Sequence, residues 1–367
     1  MKVIIIGSSV AGSAAAYLLA REGVEVVVYE KKARKDIGKK VCANVLTFMI
    51  KDILQDFGIN PKEMIKNHYH TFNVFSKNNK VSFQTEEYEF DRTRLLEKLI
   101  TKAEASGAKL VFNTNFTDFK KKDGKFSVML SKGKRDFEDS CDFLVGADGA
   151  LSEVAKKAGL WENRKFFLTL QAKVSRNIKN KQYLPDKNGY NIFLGKDFGY
   201  YSYLFSSKNG LVVGLGDRPN RDVKKKFENL LKLIGIGKAK IEGALFPEPQ
   251  VLRMKPGIFL IGDAGCQIKF TGGGIIPAFM AAKSVKEILV NKNWESYDKM
   301  NSRIKMNGLA AKFFENMSDK RASHVLEIFK DKKFRNFPKY RDYISKKDLK
   351  KLLSPKVAVS LILSLFS

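Results

Sequence analysis

The opening of the chain constrains its fold more than any other feature. After Lys2, Val3-Ile4-Ile5-Ile6 runs without a charge into Gly7-Ser8-Ser9-Val10-Ala11-Gly12, and an Ala/Leu-rich stretch follows to Glu22. Glu25 to Tyr29 is a second apolar run, and Gly23 stands where a helix C-terminal cap belongs. The pattern reads strand, glycine turn, helix, strand: one βαβ unit with a short crossover. Gly7 permits the tight turn, and Gly12 lets the helix lie close to the strand. The helix N-terminus at Ser9 and Ala11 then presents free N–H groups to a pyrophosphate. The usual spacing is G-x-G-x-x-G, with Ser9 here in the middle position. Glu30 ends the second strand, 23 residues after Gly7, where an acid accepts hydrogen bonds from an adenosine ribose and repels a 2′-phosphate.

Further along, residues 92–107 carry a helical pattern with Leu95, Leu96, Leu99 and Ala103 on one face. A strand is expected at Lys109 to Asn113, and a hairpin around the Asp123-Gly124 turn. Two short buried strands end in turns, Leu144-Val145-Gly146-Ala147-Asp148-Gly149 and Phe259-Leu260-Ile261-Gly262-Asp263. Between them, from about 166 to 245, the chain turns aromatic and alternating, which predicts an antiparallel sheet inserted into the first domain. The expected organisation is α/β. A discontinuous Rossmann-like dinucleotide domain (1–165 and 246–290) carries an inserted antiparallel substrate sheet (166–245), and a basic helical C-terminal region (291–367) follows.

The order and spacing of the three glycine turns resemble the flavoprotein hydroxylase-type fold. That resemblance implies FAD, with the Asp148-Gly149 turn near the pyrophosphate and Gly262-Asp263 supplying the ribityl ligand. Arg92, in Asp91-Arg92-Thr93-Arg94, sits where the family has an arginine opening a helix beside the cofactor; the alternative is a solvated helix-start arginine.

Three more segments resemble the geranylgeranyl reductases, flavoenzymes that saturate isoprenoid chains. Gly38-Lys39-Lys40-Val41-Cys42 is similar to their G-K-x-x-C segment. Tyr201-Ser202-Tyr203-Leu204-Phe205-Ser206 is similar to Y-x-W-x-F-P, with Tyr203 for the tryptophan and Ser206 for the proline. Gln267 to Ile275 resembles Q-x-K-P-T-T-G-G-G-I, one residue shorter and without the proline. The resemblance implies that Gly272, Gly273, Gly274 and Ile275 approach the isoalloxazine ring, where a Cβ would collide with it, and that their N–H groups stabilise negative charge on reduced flavin. It implies that Tyr201, Tyr203 and Phe205 contact a long apolar substrate; the plain alternative is that alternating aromatics are sheet core. Cys42 is then the catalytic candidate, a thiol that donates or relays a proton, or else a small buried hydrophobe. Cys266 is a weaker second.

The three cysteines are odd in number and widely spaced, so no disulfide framework is expected and a reducing, cytoplasmic location is. The three histidines form no triad, and no metal site is expected. No run of about 18 apolar residues predicts a transmembrane helix, and the N-terminus lacks a signal-peptide cleavage site.

Sixty-seven Lys+Arg against 39 Asp+Glu leave a formal charge of +28. Such a field suits an anionic membrane surface or an acidic electron carrier such as ferredoxin, and a Lys-rich solvated surface would look the same. With no nucleic-acid motif beside it, nucleic acid ranks last. The uncharged Val357 to Ser367 follows Lys346, Lys347, Lys350, Lys351 and Lys356. As a helix it spans about 16 Å, too short to cross but able to lie peripherally in an anionic interface.

The reading is an FAD-dependent reductase of a prenyl chain, with ferredoxin or NAD(P)H as electron source. Its rivals are an FAD-dependent monooxygenase or halogenase of a hydrophobic small molecule and a flavin-binding carrier without turnover.

Overall fold

A computed structural model describes residues 1–77 and 79–330. The chain begins with β1 (Lys2–Ile6), α1 (Val10–Arg21) and β2 (Glu25–Tyr29). A short β3 (Val45–Thr47) and α2 (Ile50–Asp56) lead into a long hairpin, β4 (Ile65–Ser76) and β5 (Asn79–Phe90). Then come α3 (Arg92–Ala105), β6 (Lys109–Val111) and a meander, β7 (Asn115–Lys122), β8 (Lys125–Lys132) and β9 (Arg135–Cys141). β10 (Phe143–Gly146) and α4 (Glu153–Lys157) precede β11 (Phe166–Val174), β12 (Gly189–Phe193), β13 (Tyr201–Ser207) and β14 (Gly210–Asp217). α5 (Val223–Ile234), β15 (Ile241–Pro247) and β16 (Ile258–Leu260) are followed by α6 (Ile275–Asn291), α7 (Glu295–Phe314) and α8 (Asp319–Phe329).

The apolar runs at β1 and β2 have no polar face, which suits strands covered on both sides. They lie in a five-stranded sheet of order β16-β10-β1-β2-β6, parallel throughout. α1, α3 and α6 cover one face through Ala14, Ala15, Leu99, Ala281 and Ala282. The β7-β8-β9 meander covers the other through Phe126, Val128 and Leu130. α1 is alanine-rich because it must approach both the strand and α6 closely. The expected βαβ unit and the buried strands at 143–146 and 258–260 are all present.

The second sheet departs from expectation. It was to be antiparallel and confined to 166–245; it is mixed, with eight strands in the order β15-β11-β14-β13-β12-β4-β5-β3. Three of its strands come from 45–90, and β12 joins β4 in parallel register, Tyr190 beside Phe72 and Ile192 beside Val74. The physical reason lies in the hairpin. Tyr69, Phe72, Val74 and Phe83 are an apolar face that a two-stranded ribbon cannot bury by itself. α5 covers one side of this sheet through Phe227, Leu230 and Ile234. α8 covers the other through Ala322, Val325 and Leu326. The basic residues beyond 330 and the uncharged Val357–Ser367 lie outside the described residues. Among the described residues, no helix is long and apolar enough to cross a membrane.

Candidate active site

At the C-terminal ends of the parallel strands the chain turns three times. Gly7 has φ +99°, and a Cβ there would meet the Ala147 carbonyl oxygen at 2.5 Å. A Cβ on Gly12 would meet the Gly7 oxygen at 1.9 Å, so both glycines are demanded by the closeness of helix, turn and neighbouring strand. Ser9, by contrast, is extended at φ −74°, a conformation any residue adopts, which explains why serine serves in the middle position.

Glu30 is 8% exposed and fixed in place. One carboxylate oxygen accepts from Ser8 N–H at 2.8 Å and from its hydroxyl at 3.3 Å, and the other accepts from Lys32 N–H at 2.9 Å. Beside it a single cavity of about 1040 Å³ opens, at the top of the roughly 300–1,000 Å³ range of small-molecule pockets. Gly7, Ser9, Ala11, Glu30, Arg92, Asp148, Gly149, Gly262, Asp263, Gly272, Gly273, Gly274, Ile275, Cys42, Tyr201, Tyr203 and Phe205 all line it. Gly12 does not; its role is the close helix packing.

Two of the expected segments also serve the protein itself. Asp148 lines the wall, but its carboxylate accepts from Ser152 Oγ at 2.6 Å and Val154 N–H at 3.1 Å. It builds the entry to α4, and burial raises its pKa. The glycine segment is needed first by the protein itself. A Cβ on Gly273 would lie 2.4 Å from Lys269 Cε, and one on Gly274 would lie 2.9 Å from Asp263 Oδ1. Gly272 N–H is already bound to the Lys269 carbonyl at 2.9 Å, so it is not available to a flavin. Gln267 staples the preceding turn, accepting from Gly262 N–H at 2.9 Å and donating to the Leu260 carbonyl at 3.1 Å.

Residues 37–45 cross the cavity as a strap, every one of them part of its wall. Lys40 pairs with Asp263 at 2.7 Å. Arg92 faces the same space with no hydrogen bond or ion pair among the described residues. Cys42, half-buried, accepts a hydrogen bond from Asn44 N–H at 3.3 Å. Cys266 is buried, its thiol pushed up to about 11 by that burial, and it does not reach the cavity.

Beyond the strap the wall is apolar: Phe72, Val74, Ile192, Leu194, Phe314 and Phe329. Tyr201 and Tyr203, two apart on β13, point the same way with rings nearly parallel. Each lies over a glycine of β14, Tyr201 opposite Gly216 and Tyr203 opposite Gly214. A Cβ on Gly214 would fall 2.1 Å from the Tyr203 ring. The Tyr203 hydroxyl reaches Gln171 on the next strand at 2.9 Å. Burial pushes Tyr201 up to about 12, so both hydroxyls stay protonated at neutral pH. The glycines and Gln171 were missed in the sequence; the signal was the Gly-x-Gly at 214–216, which reads as a turn until its partner strand is known. Among the described residues no cluster of His, Cys, Asp and Glu could hold a metal.

The arrangement fits FAD: a tight glycine turn at a helix N-terminus, a fixed acid beside it, and one long cavity leading on from both. Comparison with known proteins agrees. The chain is 26% identical to a digeranylgeranylglycerophospholipid reductase of Methanocaldococcus jannaschii, over 77% of each chain. It is 28% identical to a chloroplastic geranylgeranyl diphosphate reductase of Oryza sativa subsp. japonica, over 77% of this chain and 64% of that protein. A geranylgeranyl bacteriochlorophyll reductase-like structure from Thermoplasma acidophilum superposes with a TM-score of 0.78 at 22% identity, covering 99% and 98% of the two chains. Residues 1–188 match the family described as FAD binding domain, and this chain belongs to it.

Proposed function

We propose that this chain is an FAD-dependent oxidoreductase that saturates C=C bonds of a prenyl chain. One observation carries the reading: a single cavity joins the flavin cradle to an aromatic apolar chamber, with the Cys42 thiol on the strap between them. Relatives named for geranylgeranyl reduction support it. Gly7, Ser9 and Ala11 would face the pyrophosphate, Glu30 the adenosine ribose, Asp263 the ribityl chain, and the segment 272–275 the ring. When reduced, bound FAD supplies a hydride equivalent to one alkene carbon.

The other alkene carbon needs a proton, and Cys42, in the cavity wall, is the donor proposed for it. The Asn44 N–H donates to Sγ at 3.3 Å and holds the thiol in place on the strap. Tyr201 and Tyr203, held protonated by burial, orient the chain by their ring faces rather than acting as acids. The wall beyond the strap is apolar, so Cys42 is the proton donor proposed for that side. A prenyl substrate, an acidic carrier or NAD(P)H as electron source, and peripheral contact with anionic lipid complete the proposal.

The test is anaerobic incubation of the dithionite-reduced holoenzyme with a geranylgeranyl lipid, followed by mass spectrometry. Mass gains in steps of two hydrogens are expected, falling by at least about 100-fold in rate for Cys42→Ser with flavin retained. An unchanged mass, with oxygen-dependent hydroxylation or halogenation of an apolar compound instead, would sink the reductase reading.

A further inference from the structure

Behind the cavity wall, a charged network joins parts of the chain that are distant in sequence. Arg218, at the end of β14, is 9% exposed. Its Nε and Nη2 donate to the two oxygens of Glu315 at 2.9 and 2.8 Å, and Nη2 also donates to Glu248 at 2.6 Å. Nη1 donates to the Phe166 carbonyl at 3.3 Å, and Arg221 adds a second contact to Glu315 at 3.3 Å. Glu315 is the residue at which α7 stops. The fork on one side and the carboxylate on the other make this a bidentate pair, which fixes orientation as well as distance.

The pair sits against the cavity's aromatic backing. The Arg218 guanidinium lies 4.0 Å over the Phe167 ring, and Phe167 stacks on Tyr200 and Phe246. Tyr200 donates to the Phe270 carbonyl at 2.6 Å, while Phe270 N–H donates to Asn307 of α7 at 2.9 Å. Phe270 stacks in turn on Phe314, next to Glu315. Tyr200, Phe246, Phe270 and Phe314 all line the cavity. α7 therefore braces the glycine turn at one end of the chamber and supplies its wall, and Arg218 fastens the end of α7.

We propose that Arg218, acting through Glu315, is a positioning residue that sets how the chamber grips a long apolar chain and makes no contact of its own with FAD. The inference rests on the prenyl-reductase reading. What the pair fixes is where Phe314 stands. The adenosine end of the proposed flavin cradle, at Gly7 and Glu30, is built on the other sheet, and the network adjoins the cradle only at the turn after Phe270.

The experiment uses the flavin-loaded full chain and geranylgeraniol as probe, titrated by perturbation of the flavin spectrum. Glu315→Gln and Arg218→Met are expected to weaken probe binding about tenfold, as for one lost charged hydrogen bond. KM for a geranylgeranyl lipid should rise in parallel with kcat within twofold, and FAD affinity should stay within twofold of wild type. Arg218→Lys, which keeps the charge without the fork, should fall between. Unchanged probe binding in the folded Glu315→Gln protein, or an equal loss of FAD affinity, overturns the inference. A wild-type protein that binds the probe but never reduces it overturns the reductase reading instead, and the Kd comparison still decides this one. Wild-type protein that binds no probe overturns both.

Discussion

Glu30 shows how much one side chain can be made to do by its neighbours. Its carboxylate is held by two backbone N–H groups and a hydroxyl, so in the proposed role of ribose acceptor it would be oriented in advance and lose little freedom on binding. Glu30→Ala removes the acceptor and leaves the Ser8 and Lys32 N–H groups without their partner. FAD affinity is expected to fall about 10- to 100-fold, the worth of one or two charged hydrogen bonds, measured by flavin-fluorescence titration. A fall of less than twofold would show that the ribose lies elsewhere. This residue was legible in the sequence because an acid at the end of the second strand has a fixed relation to the glycine turn. Asp148 was legible only by position: its place in the wall is as expected, but its carboxylate serves Ser152 and Val154, a use that only the turn into α4 reveals.

Among the elements, β13 and β14 work as one device. The tyrosines of β13 lie flat across glycines of β14, and any side chain at 214 or 216 would stand where a ring now lies. Gly214→Val should cost about 1–3 kcal/mol by overpacking, seen as a fall of roughly 1–4 °C in Tm for a chain of this length. Combining Gly214→Ala with Tyr203→Ala should be less damaging than the sum of the two single changes, because the collision disappears with the ring. Strict additivity would mean that the ring does not depend on the glycine. The hairpin of β4 and β5 is the element that sequence reading left silent. Its polar residues interrupt the alternation, and its parallel pairing with β12 joins segments more than a hundred residues apart, for which no local pattern exists.

For the whole molecule, charge and burial act in the same direction as the medium becomes acidic. A chain of formal charge +28 gains still more positive charge, and self-repulsion grows. His68 adds to this: burial first, and then the neighbouring His70 ring 3.9 Å away, lower its pKa from the ordinary 6.5. A histidine with a depressed folded pKa is neutral when the unfolded chain would already be protonated. Its contribution is therefore complete above about pH 6.5 and is lost as pH falls below that toward the lower folded value. The unfolding midpoint, followed by circular dichroism, is expected to drop between pH 7.5 and 5, and to drop less in His68→Phe. An equal drop in both proteins would assign the effect to net charge alone, and added salt should then remove it.

The sequence by itself determined the parallel sheet, the three glycine turns and the acid beside the first of them. These features are local: a backbone angle that only glycine adopts easily, an apolar run too long to be exposed, and a fixed count of residues across one crossover. Tertiary structure alone decided what closes the other end of the cavity. Tyr203 needs Gly214 and Gln171, Phe270 needs Asn307 and Phe314, and Arg218 meets Glu315 97 residues away. Each of those contacts is a matter of shape between elements that meet only when the sheet has formed, and shape of that kind leaves no period in the chain.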